Sequence, residues 1–108
     1  MYLERFVISN MFLGYVSKRA YRRAVKWELV QIHKMAAGCI DCGYDKHGVA
    51  LQFDHRENKK ANVSNLIRSD YGWDAIFIEI SKCDVRCANC HAIKTKERKN
   101  DQALHFSV

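Results

Sequence analysis

The sequence predicts a small α+β domain in which a four-cysteine zinc site staples a strand to a helix. A basic helix precedes this core and a further helix is inserted within it. Three observations carry the prediction. Two CxxC pairs, Cys39-Ile-Asp-Cys42 and Cys87-Ala-Asn-Cys90, stand far apart in a chain of 108 residues. Apolar residues recur at spacings of three and four over residues 17–37, the period of a helix with one buried face. Over residues 49–55 they alternate, the period of a half-buried strand. Hydrophobic residues make up 48% of the chain, which excludes a wholly disordered polymer, but a domain this short gains from a staple.

Residues 1–16 (MYLERFVISNMFLGYV) have no clean period and read as a short strand, a helical turn or a packing arm, with no function assigned. Glu4 and Arg5 interrupt them, and no basic leader or small-residue cleavage site is present, so no secretory signal is read. A membrane-spanning helix needs about 20 apolar residues, more than this stretch offers. The expected location is cytoplasmic.

In the predicted helix 17–37, Ser17 is the N-cap and Gly38 the stop. Tyr21, Val25, Leu29, Ile32 and Ala36 form its apolar face, while Lys18, Arg19, Arg22, Arg23 and Lys26 lie on the others. Such a run is either a solvated face or a stripe that tracks phosphates. Residues 39–44 read as a knuckle, with Gly43 closing a tight turn behind two thiolates. In the strand, Val49, Leu51 and Phe53 face one side and Gln52 and Asp54 the other. A polar loop over residues 56–62 leads to a second short strand at 61–63, which would close a hairpin. Ser64 caps a short helix to Ile67, and residues 73–83 form the inserted helix with Ile76, Phe77, Ile80 and Cys83 inward. Residues 88–99 form a basic helix. Residues 1–37 are thus an arm and helix of the same domain as a 38–99 core, and residues 100–108 a mobile tail.

Five cysteines and no secretory signal favour metal over disulfides. Each CxxC turn offers two thiolates, and Cys39, Cys42, Cys87 and Cys90 complete the tetrahedron of a structural Zn²⁺. A closed four-thiolate site has no open position for catalysis. Cys83 remains as a buried free thiol. The net charge of +6 favours a polyanionic partner such as DNA, RNA or an acidic surface without choosing among them.

The zinc staple would bring Asp54 and His55, on the strand, near His91, which follows Cys90 directly. In a regular strand Asp54 and His55 point to opposite faces; a twist or bulge at the strand end would let both reach one site. His91, Lys94, Thr95 and Arg98 share one face of the last helix. A metal ligand beside basic residues suits phosphodiester chemistry. The bland alternatives are that His55 is a hydrogen-bonded surface group, that Asp54 only turns the chain, and that His91 competes with Cys90 for zinc. His33, His47 and His105 are read as structural or solvent-facing.

Cys39-x-x-Cys42, Phe53-Asp54-His55, Asn65-Leu66 and Cys87-x-Asn-Cys90-His91-x-x-Lys94-Thr95 together resemble an HNH endonuclease of the zinc-containing type, particularly the small phage and bacterial ones. The resemblance covers about residues 38–98 and implies a ββα-metal (His-Me finger) core. It implies that His55 is the general base and that Asp54 and His91 hold a catalytic Mg²⁺, Mn²⁺ or Ni²⁺. It also implies that Asn65 orients the base, with Asn62 and Asn89 as rivals, and that DNA is cut to a 5′ phosphate and a 3′ hydroxyl. Residues 68–83 separate Asn65-Leu66 from the second CxxC by more than compact members allow. Arg19, Arg22, Arg23, Lys26, Lys94 and Arg98 are the expected DNA contacts, with Arg86 a further candidate. The expected function is a metal-dependent DNA endonuclease of limited sequence specificity, phage-encoded in a bacterial host or bacterial, acting alone or with packaging or other DNA-processing proteins. The alternative is a non-catalytic zinc-containing DNA-binding or adaptor module.

Overall fold

The structure, a computed structural model, describes residues 17–106, with side chains described to residue 101. Expectations for residues 1–16 and 107–108 lie outside the described residues. Helix α1 (Lys18–Ala37) starts where Ser17 Oγ accepts the Ala20 N–H at 3.1 Å. It stops at Gly38, whose φ of 69° suits glycine and whose N–H donates to Lys34 O at 2.9 Å.

The buried stripe of α1 is rotated from the expected one. Lys26, Val30 and Lys34 are buried with Trp27 packed beside them, whereas Tyr21, Val25 and Leu29 are half-buried and Ile32 and Ala36 are exposed. The two lysines belong inside because their stems are apolar and their ammoniums meet carbonyl oxygens. Lys26 Nζ donates to Tyr71 O at 2.8 Å and Lys34 Nζ to Leu51 O at 3.0 Å.

A 3₁₀ turn (Gly48–Ala50) leads into β1 (Leu51–His55). Val49, expected on the apolar face of the strand, lies in this turn and is 85% exposed. β1 pairs antiparallel with β2 (Cys83–Cys87), with Leu51 opposite Cys87, Phe53 opposite Val85 and His55 opposite Cys83. No strand forms at residues 61–63. Asn62 instead sits at the N-cap of α2 (Val63–Arg68), its carbonyl accepting the N–H groups of Asn65 and Leu66, and Val63 and Ile67 bury one turn apart. That replaces the expected capping role of Ser64.

Helix α3 (Trp73–Ile80) ends earlier than expected because residues 83–87 gain more by pairing with β1 than by prolonging the helix. Ser81 and Lys82 turn the chain by donating to Phe77 O and Glu79 O. Cys83 therefore opens a strand, and Phe77 is exposed, stacked on Trp73 with ring centroids 5.1 Å apart. Helix α4 (Ala88–Phe106) runs on through most of the stretch expected to be a mobile tail; residues 100–106 hold no glycine or proline to stop it.

The result is a small α+β fold around a two-stranded antiparallel sheet. Val30, Val63, Ile67, Ile76 and Ile80 form one apolar cluster among α1, α2 and α3. Cys39, Leu51 and Val85 form a second beneath the knuckle, and Phe53 packs against both. Among the described residues, no helix is long and apolar enough to cross a membrane.

Candidate metal centre and its flanking histidines

Cys39 and Cys42 sit on the knuckle after α1, Cys87 ends β2 and Cys90 lies in the first turn of α4. The knuckle closes by Cys39 N–H to Tyr44 O and Gly43 N–H to Cys39 O, both 2.8 Å, with Gly43 at φ 79°. Ile40 N–H donates to Val85 O at 2.8 Å and docks the knuckle on β2. All four sulfurs lie within 4.8 Å of one another, and Cys42 and Cys87 Sγ are 3.7 Å apart. With Zn–S bonds of about 2.3 Å, sulfurs on a tetrahedron stand roughly 3.8 Å apart, so the cluster fits one Zn²⁺.

The electrostatics agree. Burial raises the Cys39 thiol, but backbone N–H groups around Cys87, Cys42 and Asp41 outweigh it and bring it down to about 6. The Cys87 sulfur, with burial, holds the Cys90 thiol up. Four sulfurs this close ionise together only around a cation. Cys83 stands apart: its Sγ donates to Glu79 O at 3.3 Å, and burial together with the Glu79 charge pushes its thiol up to about 11.

Asp54 and His55 adopt the regular strand alternative and face different elements. Asp54 meets residues of β2 and α4. Arg86 Nη1 donates to Oδ2 at 2.6 Å, and Arg98 forks the carboxylate through Nη1 to Oδ1 at 2.9 Å and Nη2 to Oδ2 at 3.1 Å. The residue is only 3% exposed; burial raises the carboxyl, but Arg98, His91 and Arg86 outweigh it and hold it below its usual range.

His91 Nε2 lies 3.5 Å from Asp54 Oδ1. Its Nδ1 pairs with Gln52 Oε1 at 2.7 Å. An amide oxygen only accepts, so Nδ1 carries a proton, and Nε2 is the nitrogen that faces Asp54. Cis ligands on a Mg²⁺ with bonds of about 2.0–2.1 Å stand roughly 3 Å apart. Asp54 and His91 are near that spacing, and Gln52 is the kind of outer partner that orients a ligating imidazole.

On the other side of β1, His55 Nε2 meets Glu79 Oε2 at 2.8 Å. Glu79, on α3, is 3% exposed, and the same oxygen accepts from Lys60 N–H at 3.0 Å and Ala61 N–H at 3.4 Å, while Lys82 Nζ pairs with Oε1 at 2.9 Å. Burial raises this carboxyl, but Lys82, the two N–H groups and His55 bring it down to about 2.

Comparison with protein-family models, curated proteins and solved structures finds no match.

The structure brings some expected residues together and separates others. Asn65 is exposed on α2, and its side chain makes no hydrogen bond among the described residues; Asn62 and Asn89 are exposed too. Arg86 is buried and ties the knuckle to β1 through Asp41 at 2.8 Å and Asp54, so its guanidinium is not presented at the surface. Lys26 is likewise turned into the core, beside Asp70 at 3.7 Å, and Arg22 pairs with Asp70 at 2.7 Å. Arg19 remains exposed and Arg23 half-exposed on α1. Thr95 donates its hydroxyl to His91 O at 2.9 Å, and Lys94 lies 4.0 Å from Glu97.

Two residues escaped the sequence reading. Glu79 had a signal, a lone carboxylate on the same helical stripe as Ile76 and Ile80. Gln52 had one as well, since strand alternation puts it beside Asp54.

Proposed function

We propose that the chain is a metal-dependent endonuclease of the zinc-containing HNH type, its ββα-metal core formed by β1, β2 and the start of α4, hydrolysing DNA phosphodiester bonds with limited sequence specificity. The observation that most supports this is the convergence of Asp54 Oδ1 and His91 Nε2 at 3.5 Å, with Gln52 holding the other nitrogen of the ring. His55, the last residue of β1 and on the other side of it from Asp54 and His91, takes a proton from water across the end of the strand; that water attacks phosphorus in line and leaves a 5′ phosphate and a 3′ hydroxyl. Asp54 and His91 would hold a Mg²⁺, Mn²⁺ or Ni²⁺ ion, which would supply Lewis-acid stabilisation of the charge growing on the phosphate and the leaving oxygen. Arg98 exchanges Asp54 for a phosphate, and Arg19, Arg23 and Lys94 contact flanking phosphates. The four-cysteine zinc keeps the strand and helix in register.

A second reading, a non-catalytic zinc-containing DNA-binding or adaptor module, is favoured by the two guanidiniums that already neutralise Asp54. Supercoiled plasmid incubated with the zinc-loaded chain and each of the three ions separates the two. The endonuclease nicks it, and His55→Ala loses about 10²- to 10⁴-fold in rate, the usual worth of a general base. An intact plasmid with every ion, or equal nicking by His55→Ala, overturns the endonuclease reading.

A further inference from the structure

We propose that Glu79 is the positioning residue for His55, fixing the ring so that Nδ1 is its basic nitrogen and taking the place that Asn65 would hold; the inference rests on the endonuclease reading. Every group around the Glu79 carboxylate is a donor. Lys82 Nζ lies on Oε1, and Lys60 N–H, Ala61 N–H and the His55 ring lie on Oε2. A carboxylate so surrounded is ionised and only accepts, so the 2.8 Å contact makes His55 Nε2 the protonated nitrogen. In the neutral form of the ring the lone pair is then on Nδ1. His55 also lines a cavity of about 310 Å³ together with Trp27, Lys34, Phe53 and Asn62.

The support behind Glu79 is rigid. Ile76 and Ile80 bury on the same stripe of α3, and the two N–H groups bind the 56–62 loop to the carboxylate. Residues 68–83, which lengthen the connection beyond that of compact HNH proteins, therefore bring the base its partner. Asn65, exposed and without a side-chain hydrogen bond, has no such hold on it.

The test uses the zinc-loaded full chain labelled with ¹⁵N, in which long-range ¹H–¹⁵N correlations report which nitrogen of neutral His55 is protonated. Wild type shows the Nε2–H form and Glu79→Ala shows a mixture. Glu79→Gln, which keeps an acceptor at the Oε2 position, restores Nε2–H with its proton resonance moved upfield, since a neutral acceptor makes the weaker bond. In plasmid nicking, Glu79→Ala lowers kcat by about 10- to 100-fold with KM unchanged, the scale of losing an orienting partner, and Glu79→Gln recovers most of it. A wild-type ring protonated on Nδ1, or an Nε2 proton unmoved by Glu79→Gln, overturns the proposal, and the latter decides it even where Glu79→Ala fails to fold. Wild-type protein that leaves the plasmid intact with every ion defeats the endonuclease reading alone, because the tautomer is read without turnover.

Discussion

Stripping zinc from the four-sulfur site should unfold this chain rather than loosen it. Between the end of α1 and the 3₁₀ turn run roughly ten residues, 38–47, without regular structure, and fixing them costs about 1–2 kcal/mol each, or ~10–20 kcal/mol. The apolar side chains beneath them, Leu51 and Val85, return only ~3–6 kcal/mol. A structural Zn²⁺ contributes about 10–16 kcal/mol at neutral pH, and with it the two sides match. Domains of this size are stable by only about 5–15 kcal/mol in all, so losing the ion exceeds the reserve. The assay is organomercurial displacement of zinc, followed with a metallochromic indicator and by circular dichroism on heating. One equivalent of zinc should leave per chain, and the cooperative thermal transition should vanish. A metal-free protein that melts cooperatively within a few degrees of the zinc-loaded one would refute the reasoning.

Two further outcomes follow from the carboxylates. Asp54→Asn removes one of the carboxylates around the buried Arg86 guanidinium, which keeps Asp41 and Asp84, and should cost about 1–3 kcal/mol in urea denaturation, whereas Arg98→Ala, whose side chain is 42% exposed, should cost under about 1 kcal/mol. Arg98→Ala should also tighten Mn²⁺ binding, read by electron paramagnetic resonance, through the freed Asp54; a gain that persists in the Asp54→Asn background places the ion elsewhere. The Glu79 carboxyl is held down to about 2 from an ordinary 4.5, so its stabilisation is complete above the higher value and is lost as pH falls toward the lower. The difference in urea midpoint between wild type and Glu79→Gln should therefore shrink through that acid window, and a difference independent of pH contradicts the assignment.

What the sequence revealed was the chemistry that is local in the chain. CxxC turns, the Ser17 cap, the Gly38 stop and the alternation of residues 51–55 each depend on neighbours a few positions away. The partner strand was hidden because Cys83–Cys87 is only five residues long and follows a helical run without a break. Which strand β1 chooses is a tertiary matter, settled by the knuckle bonding to Val85 and by Arg86 reaching Asp41. Lys26 misled for a related reason: a lysine is counted as surface until a carbonyl is found above its stem, and the carbonyl of Tyr71, like that of Leu51 above Lys34, comes from a distant segment. In the candidate site, Asp54, His55 and His91 were legible by type and order. Their pairing with Glu79, Gln52 and Arg98 was not, because each hydrogen bond spans 24 residues or more.

The bond from Lys34 to the Leu51 carbonyl has a mechanical consequence. Leu51 lies opposite Cys87 in the sheet, so the ammonium fastens α1 to the strand pair that the four-cysteine cluster closes. From Lys34 back to Arg19 the helix runs fifteen positions, roughly 22 Å at 1.5 Å per residue, without a proline or glycine to bend it. The exposed arginine is thus carried at the tip of a stiff lever whose fulcrum is the sheet beside the four cysteines, and its distance from His55 is set by the length of a helix rather than by the sway of a loop.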